Sequence, residues 1–176
     1  MIFHETPVAD ARVLELERKG DDRGFFARTF DAAVFAELGM MPDVVQANMA
    51  YNKQRATLRG MHFQHAPHAE AKLIRCVRGA VWDAIVDIRR DSSTFGKWFG
   101  VELSQDNRLA LYAPPGVAHG YITLAEDCEL TYQVSAAYAP DAEDGVRWND
   151  PFFGIEWPIQ PELLSEKDAN WPLFER

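Results

Sequence analysis

A chain of 176 residues, 47% of them hydrophobic, is the size of one domain and can bury a core without disulfide or metal staples. Its net charge of −9 speaks against a nucleic-acid surface, which shows a basic face or stripe, yet it leaves room for a local cluster of cations around a small anion. No stretch approaches the roughly 20 apolar residues of a membrane helix, and the opening MIFHETPVAD has neither a basic start nor a long apolar run, so a soluble, cytoplasmic chain is expected.

In chain order, the alternating run VLELE at 13–17 comes first. Asp31 then suits a helix N-cap, Val34, Phe35 and Leu38 share one face, and Gly39 supplies a stop. Short apolar or alternating runs follow: VVQANM, TLRGMHF, KLIRCV, VWDAIVDI, KWFGVEL, LALYA, HGYITL and CELTYQV. Turn-forming pieces separate them at 78–79, 91–93, 105–107, 114–116 and 125–127. This spacing predicts an all-β sandwich or barrel, with a jelly roll as first choice and a few short peripheral helices. Cys76 and Cys128 lie inside apolar runs and read as two reduced thiols filling a core. The tail at 158–176 is rich in proline and acid, and Ser165-Glu166-Lys167-Asp168 reads as a capping box opening one helical turn. With no repeat or linker in view, residues 1–176 read as a single domain whose tail packs back on it.

Strand alternation says which side chains can share an interior. His62 lies with Leu58, Gly60 and Gln64, Lys72 with Ile74 and Cys76, Tyr132 with Cys128, Leu130 and Val134, and His119 with Tyr121 and Thr123. Ionisable groups on apolar faces are costly unless paired, so the set suggests a ligand cavity. A metal-binding jelly roll would offer His62, His119 and Glu70 as ligands, and PPGVAH at 114–119 suits one of the segments such folds use. But His62 and His65 are three apart and point to opposite faces of a regular strand, so no metal is expected. His65, His68 and Glu70 read instead as a solvent-facing loop. His62 is then a base, poised near neutral pH, and a carboxylate on its other nitrogen would fix its tautomer; the residue types alone do not say which acid does so.

The segments DDRGFFARTF, LRGMHFQ, KLIRCVRGAVWDAIVDIRRDSSTFGKWFGVELSQDN, PPGVAHGYITL, LTYQVSAAYAP, GVRWNDPFFGIEWP and LSEKD together resemble the dTDP-4-dehydrorhamnose 3,5-epimerases and related nucleotide-sugar epimerases. The resemblance implies a cupin-type jelly roll, a homodimer, no cofactor, and epimerisation at C3 and C5 of an NDP-4-keto-6-deoxyhexose. It implies His62 as base, Asp168 as its paired acid, Tyr132 as proton donor and Lys72 beside the keto oxygen. It further implies that Arg59 grips the diphosphate, that Arg23, Arg28, Gln46, Asn48, His119, Glu143 and Lys167 occupy substrate-contact positions, and that Phe26 and Tyr138 flank the nucleobase.

Two positions depart from that pattern: Arg28 stands where Glu is usual, and Ala47 where Asp is common. A GDP- or CDP-linked 4-keto sugar or heptose, or epimerisation at C3 alone, therefore stays open beside the dTDP reading. A non-catalytic sugar-nucleotide binding module is the alternative of another class.

Overall fold

Each apolar run expected to be extended forms a strand in the computed structural model, which describes residues 1–175; Arg176, the end of the expected tail, lies outside the described residues. The strands are β1 (Ile2–Glu5), β2 (Arg12–Glu15), β3 (Lys19–Asp21), β4 (Gly24–Phe26), β5 (Gln46–Asn52), β6 (Leu58–Gln64), β7 (Lys72–Arg78), β8 (Ala80–Asp87), β9 (Trp98–Ser104), β10 (Ala110–Ala113), β11 (Val117–Thr123), β12 (Cys128–Val134) and β13 (Glu143–Gly145). Two short α-helices, α1 (Ala32–Glu37) and α2 (Glu166–Ala169), and a single 3-10 turn (Pro140–Ala142) complete the set among the described residues. β1, β13 and the β3–β4 hairpin were not legible as strands, being only three or four residues long, too short to show an alternation.

A six-stranded sheet runs β1-β2-β10-β7-β12-β5 and a five-stranded one β13-β6-β11-β8-β9, all antiparallel, while β3 and β4 pair only with each other. The two large sheets stay open and face each other as a cupin-type jelly roll. Their inner faces meet through Val13, Ile74, Cys76, Leu111 and Leu130 on one side and Val81, Ile85, Leu103, Val117 and Tyr121 on the other. Both cysteines are free and buried, and burial with the neighbouring Cys128 pushes the Cys76 thiol up to about 12, an unreactive core thiol.

Each outer face has its own cover. On the six-stranded sheet, Leu14, Leu73, Ala110 and Tyr112 pack under Phe35 of α1. The Asp31 carboxylate accepts from the Ala33 and Val34 amides, as a cap should, and Phe35 is 1% exposed, worth about 1.5–3 kcal/mol of burial. Leu38, expected on the same buried face, is 50% exposed: the helix ends after six residues and Leu38 is its C-cap. On the five-stranded sheet, Met61, Phe63, Ala84, Val86 and Ala118 are covered by Val146, Phe153, Trp157 and Phe174 from the returning C-terminal segment. Among the described residues, no helix is long and apolar enough to cross a membrane.

One irregularity matters for the site. On β11, His119 and Tyr121 are two apart and share a face, but on β6 their partners are His62 and Arg59, three apart. The extra residue is a bulge, so Arg59 and His62 are presented on one face although strict alternation separates them. Gly60 makes it possible: its φ is +128°, and a Cβ there would sit 2.5 Å from the Gly120 Cα.

Candidate active site

Two cross-strand rows form one wall of a cup. Pairing across β7, β12 and β5 aligns Lys72 with Val134 and Gln46, then Ile74 with Tyr132 and Asn48. The facing wall comes from the other sheet, where β13 sets Glu143 beside Gln64 and Gly145 beside His62. The cavity between them is about 500 Å³, within the range of small-molecule sites, and Phe63, Glu70, Ala136 and Tyr138 complete its lining.

His62 is held from outside the sheet. Its Nε2 lies 2.5 Å from Asp168 Oδ1, and Asp168 is carried there by α2, where the Ser165 hydroxyl accepts the Asp168 amide hydrogen. The expected capping box is therefore half formed: its N-cap bond is made, but the acidic side chain turns to the histidine. Burial opposes ionisation of Asp168, yet hydrogen bonding and the charge of His62, with Ser165 and Trp171, outweigh it and hold the carboxyl below its ordinary value. An ionised Asp168 accepts, so Nε2 donates and the lone pair of Nδ1 remains for a proton. Trp171 donates from Nε1 to the same carboxylate at 3.3 Å and meets the imidazole edge-on at 6.0 Å. Its approach uses Gly145, where a Cβ would lie 2.4 Å from the indole.

Opposite, the Lys72 ammonium donates to the His62 carbonyl oxygen at 3.3 Å and pairs with Glu70 at 3.1 Å. The Tyr132 hydroxyl has no hydrogen-bond partner among the described residues, leaving it free for a ligand. His119, paired across strands with His62, has its Nε2 2.9 and 3.0 Å from the two oxygens of the buried Asp83. Desolvation pushes the Asp83 carboxyl up, against the pull of His119 and Lys72. Arg59 donates to Asn52 Oδ1 at 2.8 Å, and Asn52 donates to the Tyr121 hydroxyl at 3.1 Å. At the rim, Glu143 accepts from Lys167 at 2.6 Å and from the Tyr138 hydroxyl at 2.8 Å. Burial would raise the Glu143 carboxyl, but those two bonds hold it below its ordinary value.

Of the residues singled out above, Gln46, Asn48, His62, Lys72, Tyr132, Tyr138 and Glu143 line one cup. Asp168, Lys167, His119 and Arg59 join it through His62, Glu143, strand pairing and the bulge. Arg23, Phe26 and Arg28 do not. The hairpin carrying Arg23 and Phe26 pairs with neither large sheet, and both residues line a separate shallow depression. Arg23 forks onto Asp21 at 3.1 and 2.5 Å, and Arg28 lies 3.6 Å from Asp31. Glu70 corrects the expectation of a solvent-facing loop: its side chain is 7% exposed and lines the cup. Gln64, Asp83 and Asn52 also went unsingled. Two acids, Asp83 and Asp87, interrupt the apolar run VWDAIVDI, and that is the signal that marks Asp83 as well as Asp87.

The metal reading finds no convergence. His62, His119 and Glu70 each face a different partner, and among the described residues no three His, Cys, Asp or Glu side chains are placed to share an ion. His65 turns to Asp144 at 2.8 Å, away from the cup, and His68 is exposed.

A carboxylate-held imidazole facing a lysine and a free phenol suits proton transfer at carbon next to a carbonyl, and the comparisons agree with that chemistry. The family model described as dTDP-4-dehydrorhamnose 3,5-epimerase matches residues 5–176. The dTDP-4-dehydrorhamnose 3,5-epimerase of Salmonella typhimurium is 44% identical, covering 100% of this chain and 97% of that protein. A solved dTDP-4-dehydrorhamnose 3,5-epimerase from Bacillus anthracis, with TDP and PPi bound, matches with a TM-score of 0.93 at 42% identity over 98% of this chain and 99% of that one. The dTDP-6-deoxy-D-glucose-3,5-epimerase of Legionella pneumophila, in complex with dTDP-4-keto-L-rhamnose, matches with a TM-score of 0.88 at 36% identity over 96% and 89%. With sequence, fold and cup in agreement along the whole chain, the protein belongs to the dTDP-4-dehydrorhamnose 3,5-epimerase family and is an isomerase.

Proposed function

We propose that the chain converts dTDP-4-dehydro-6-deoxy-D-glucose to dTDP-4-dehydro-L-rhamnose by inverting C3 and C5, in the cytoplasm and without a cofactor. One observation carries the reading: a carboxylate-held imidazole on one sheet and a free phenol with an ammonium on the other line the same cup.

The C4 carbonyl acidifies the hydrogens on C3 and C5, because either carbanion delocalises onto oxygen as an enolate. His62 takes the proton, and the imidazolium that forms is stabilised by Asp168. Lys72 donates to the keto oxygen as charge develops there. Tyr132 returns a proton from the opposite face, which inverts the centre. Arg59 takes the diphosphate, its fork suiting two phosphate oxygens. Tyr138 stacks on thymine; Gln46, Asn48, His119, Glu143 and Lys167 orient sugar and nucleotide.

Arg23, Phe26 and Arg28 do not line the cup of their own chain, so in this reading they serve the cup of a second copy and the working form is a homodimer. The edge of the six-stranded sheet supports it: β5 has one edge unpaired and exposes Met49 and Tyr51 at 66% and 50%. The product's place is dTDP-rhamnose supply for polysaccharide synthesis.

Incubation with dTDP-4-keto-6-deoxyglucose in D₂O should put deuterium at C3 and C5, read by proton NMR. His62→Ala should lower both rates by about 10²- to 10⁴-fold. Label at C3 alone would make it a 3-epimerase, and no exchange with any NDP-4-keto sugar would leave a binding module.

A further inference from the structure

Glu70 stands outside every role assigned above, yet its surroundings are unusual. Oε1 faces the Lys72 ammonium at 3.1 Å, while Oε2 is buried with no hydrogen-bond partner among the described residues. Buried polar atoms are nearly always satisfied, so an orphaned carboxylate oxygen on a cavity wall calls for a reason.

Lysine's geometry supplies one. An ammonium on a four-carbon stem has three N–H groups and many rotamers, and by itself aims at nothing. Here the ammonium is ion-paired with Glu70 at 3.1 Å and donates to the His62 carbonyl oxygen at 3.3 Å. These two anchors confine the end of the stem, and an ammonium has three N–H groups, so it can keep both and still donate into the cup that Lys72 lines. Deprived of Glu70, the ammonium keeps only its bond to the His62 carbonyl oxygen and its long stem is free to take other rotamers.

We propose that Glu70 is a positioning residue: its ion pair holds the Lys72 ammonium where it can donate to the C4 keto oxygen and stay on it as the enolate forms. This rests on the reading of Lys72 given above. A lysine so aimed acts when negative charge develops on that oxygen, so losing Glu70 should fall on kcat more than on KM.

The test compares Glu70→Ala and Glu70→Gln in the wild-type and Lys72→Ala backgrounds, with kcat, KM and deuterium incorporation as readouts. Glu70→Ala should lower kcat by about 10- to 100-fold, the scale of a small misplacement of a catalytic group, with KM within about threefold. Glu70→Gln keeps the packing and an oxygen acceptor, so it should recover part of that rate, and it carries the test if the alanine variant is poorly folded. In the Lys72→Ala background either change should cost less than about twofold, because a residue acting through Lys72 has nothing left to position. Equal losses in both backgrounds, or no loss in the wild type beside a costly Lys72→Ala, would overturn the proposal for Glu70 alone. A harmless Lys72→Ala would overturn the reading of Lys72 and Glu70 with it.

Discussion

Asp168 does two jobs with one residue. Its backbone amide is the group that Ser165 caps, and its carboxylate holds His62, so the start of a one-turn helix and the orientation of an imidazole are set together. Its carboxyl is held below the ordinary value of 3.8 in the folded chain. The associated stabilisation is therefore present above pH 3.8 and is lost as pH falls through the folded value. Melting temperatures of the wild type and Asp168→Asn should accordingly differ most above pH 3.8 and draw together below it, measured by circular dichroism in an acid series. In activity, Asp168→Asn should cost more than it costs in stability, because an amide can present the wrong hydrogen-bonding partner to Nε2.

At the scale of elements, Gly145 shows how strand and tail are fitted. β13 lies beside His62, and the missing side chain at its last residue is the space that Trp171 occupies. Gly145→Ala would put a methyl group into that ring and against the Met61 carbonyl oxygen. Overpacking of this kind costs about 1–3 kcal/mol, and the indole would leave both Asp168 and His62. The expected result is a drop in melting temperature of several degrees and a larger proportional fall in kcat, checked by calorimetry and steady-state rates. Period-two alternation made His62, Lys72 and Tyr132 legible as inward-facing, because each sits in a long strand with apolar companions. It failed at Arg59, because a bulge adds one residue that no pattern of side chains announces. It also failed at Glu70, which lies after β6 has ended and before β7 begins, where alternation no longer applies. Asp168 was within reach only through the resemblance, since 106 residues separate it from His62 and nothing local links them.

The whole molecule raises the question of the hairpin. Arg23 and Phe26 belong to a two-stranded unit that neither large sheet holds, while the cup lies between those sheets. If each cup takes Arg23 from the other copy, Arg23→Ala and His62→Ala chains, each inactive alone, should complement when refolded together. A random mixture is half heterodimer with one intact site of two, so about a quarter of wild-type activity should return. No recovery, with mixed dimers confirmed by native mass spectrometry, would place Arg23 in its own chain's cup or outside catalysis altogether.

The two walls of the cup belong to different sheets, with His62 on one and Lys72 and Tyr132 on the other. The gap that a sugar ring must span is consequently set by how far apart the sheets are held, and that spacing is the thickness of the hydrocarbon layer between them. Ile74 on β7 and Ile85 on β8 are spacers in this sense, although neither is ionisable. A chain with a thinned or thickened interior would keep every side chain of the cup and still hold the phenol and the imidazole at the wrong distance. The oil in this molecule acts as the gauge block of its chemistry.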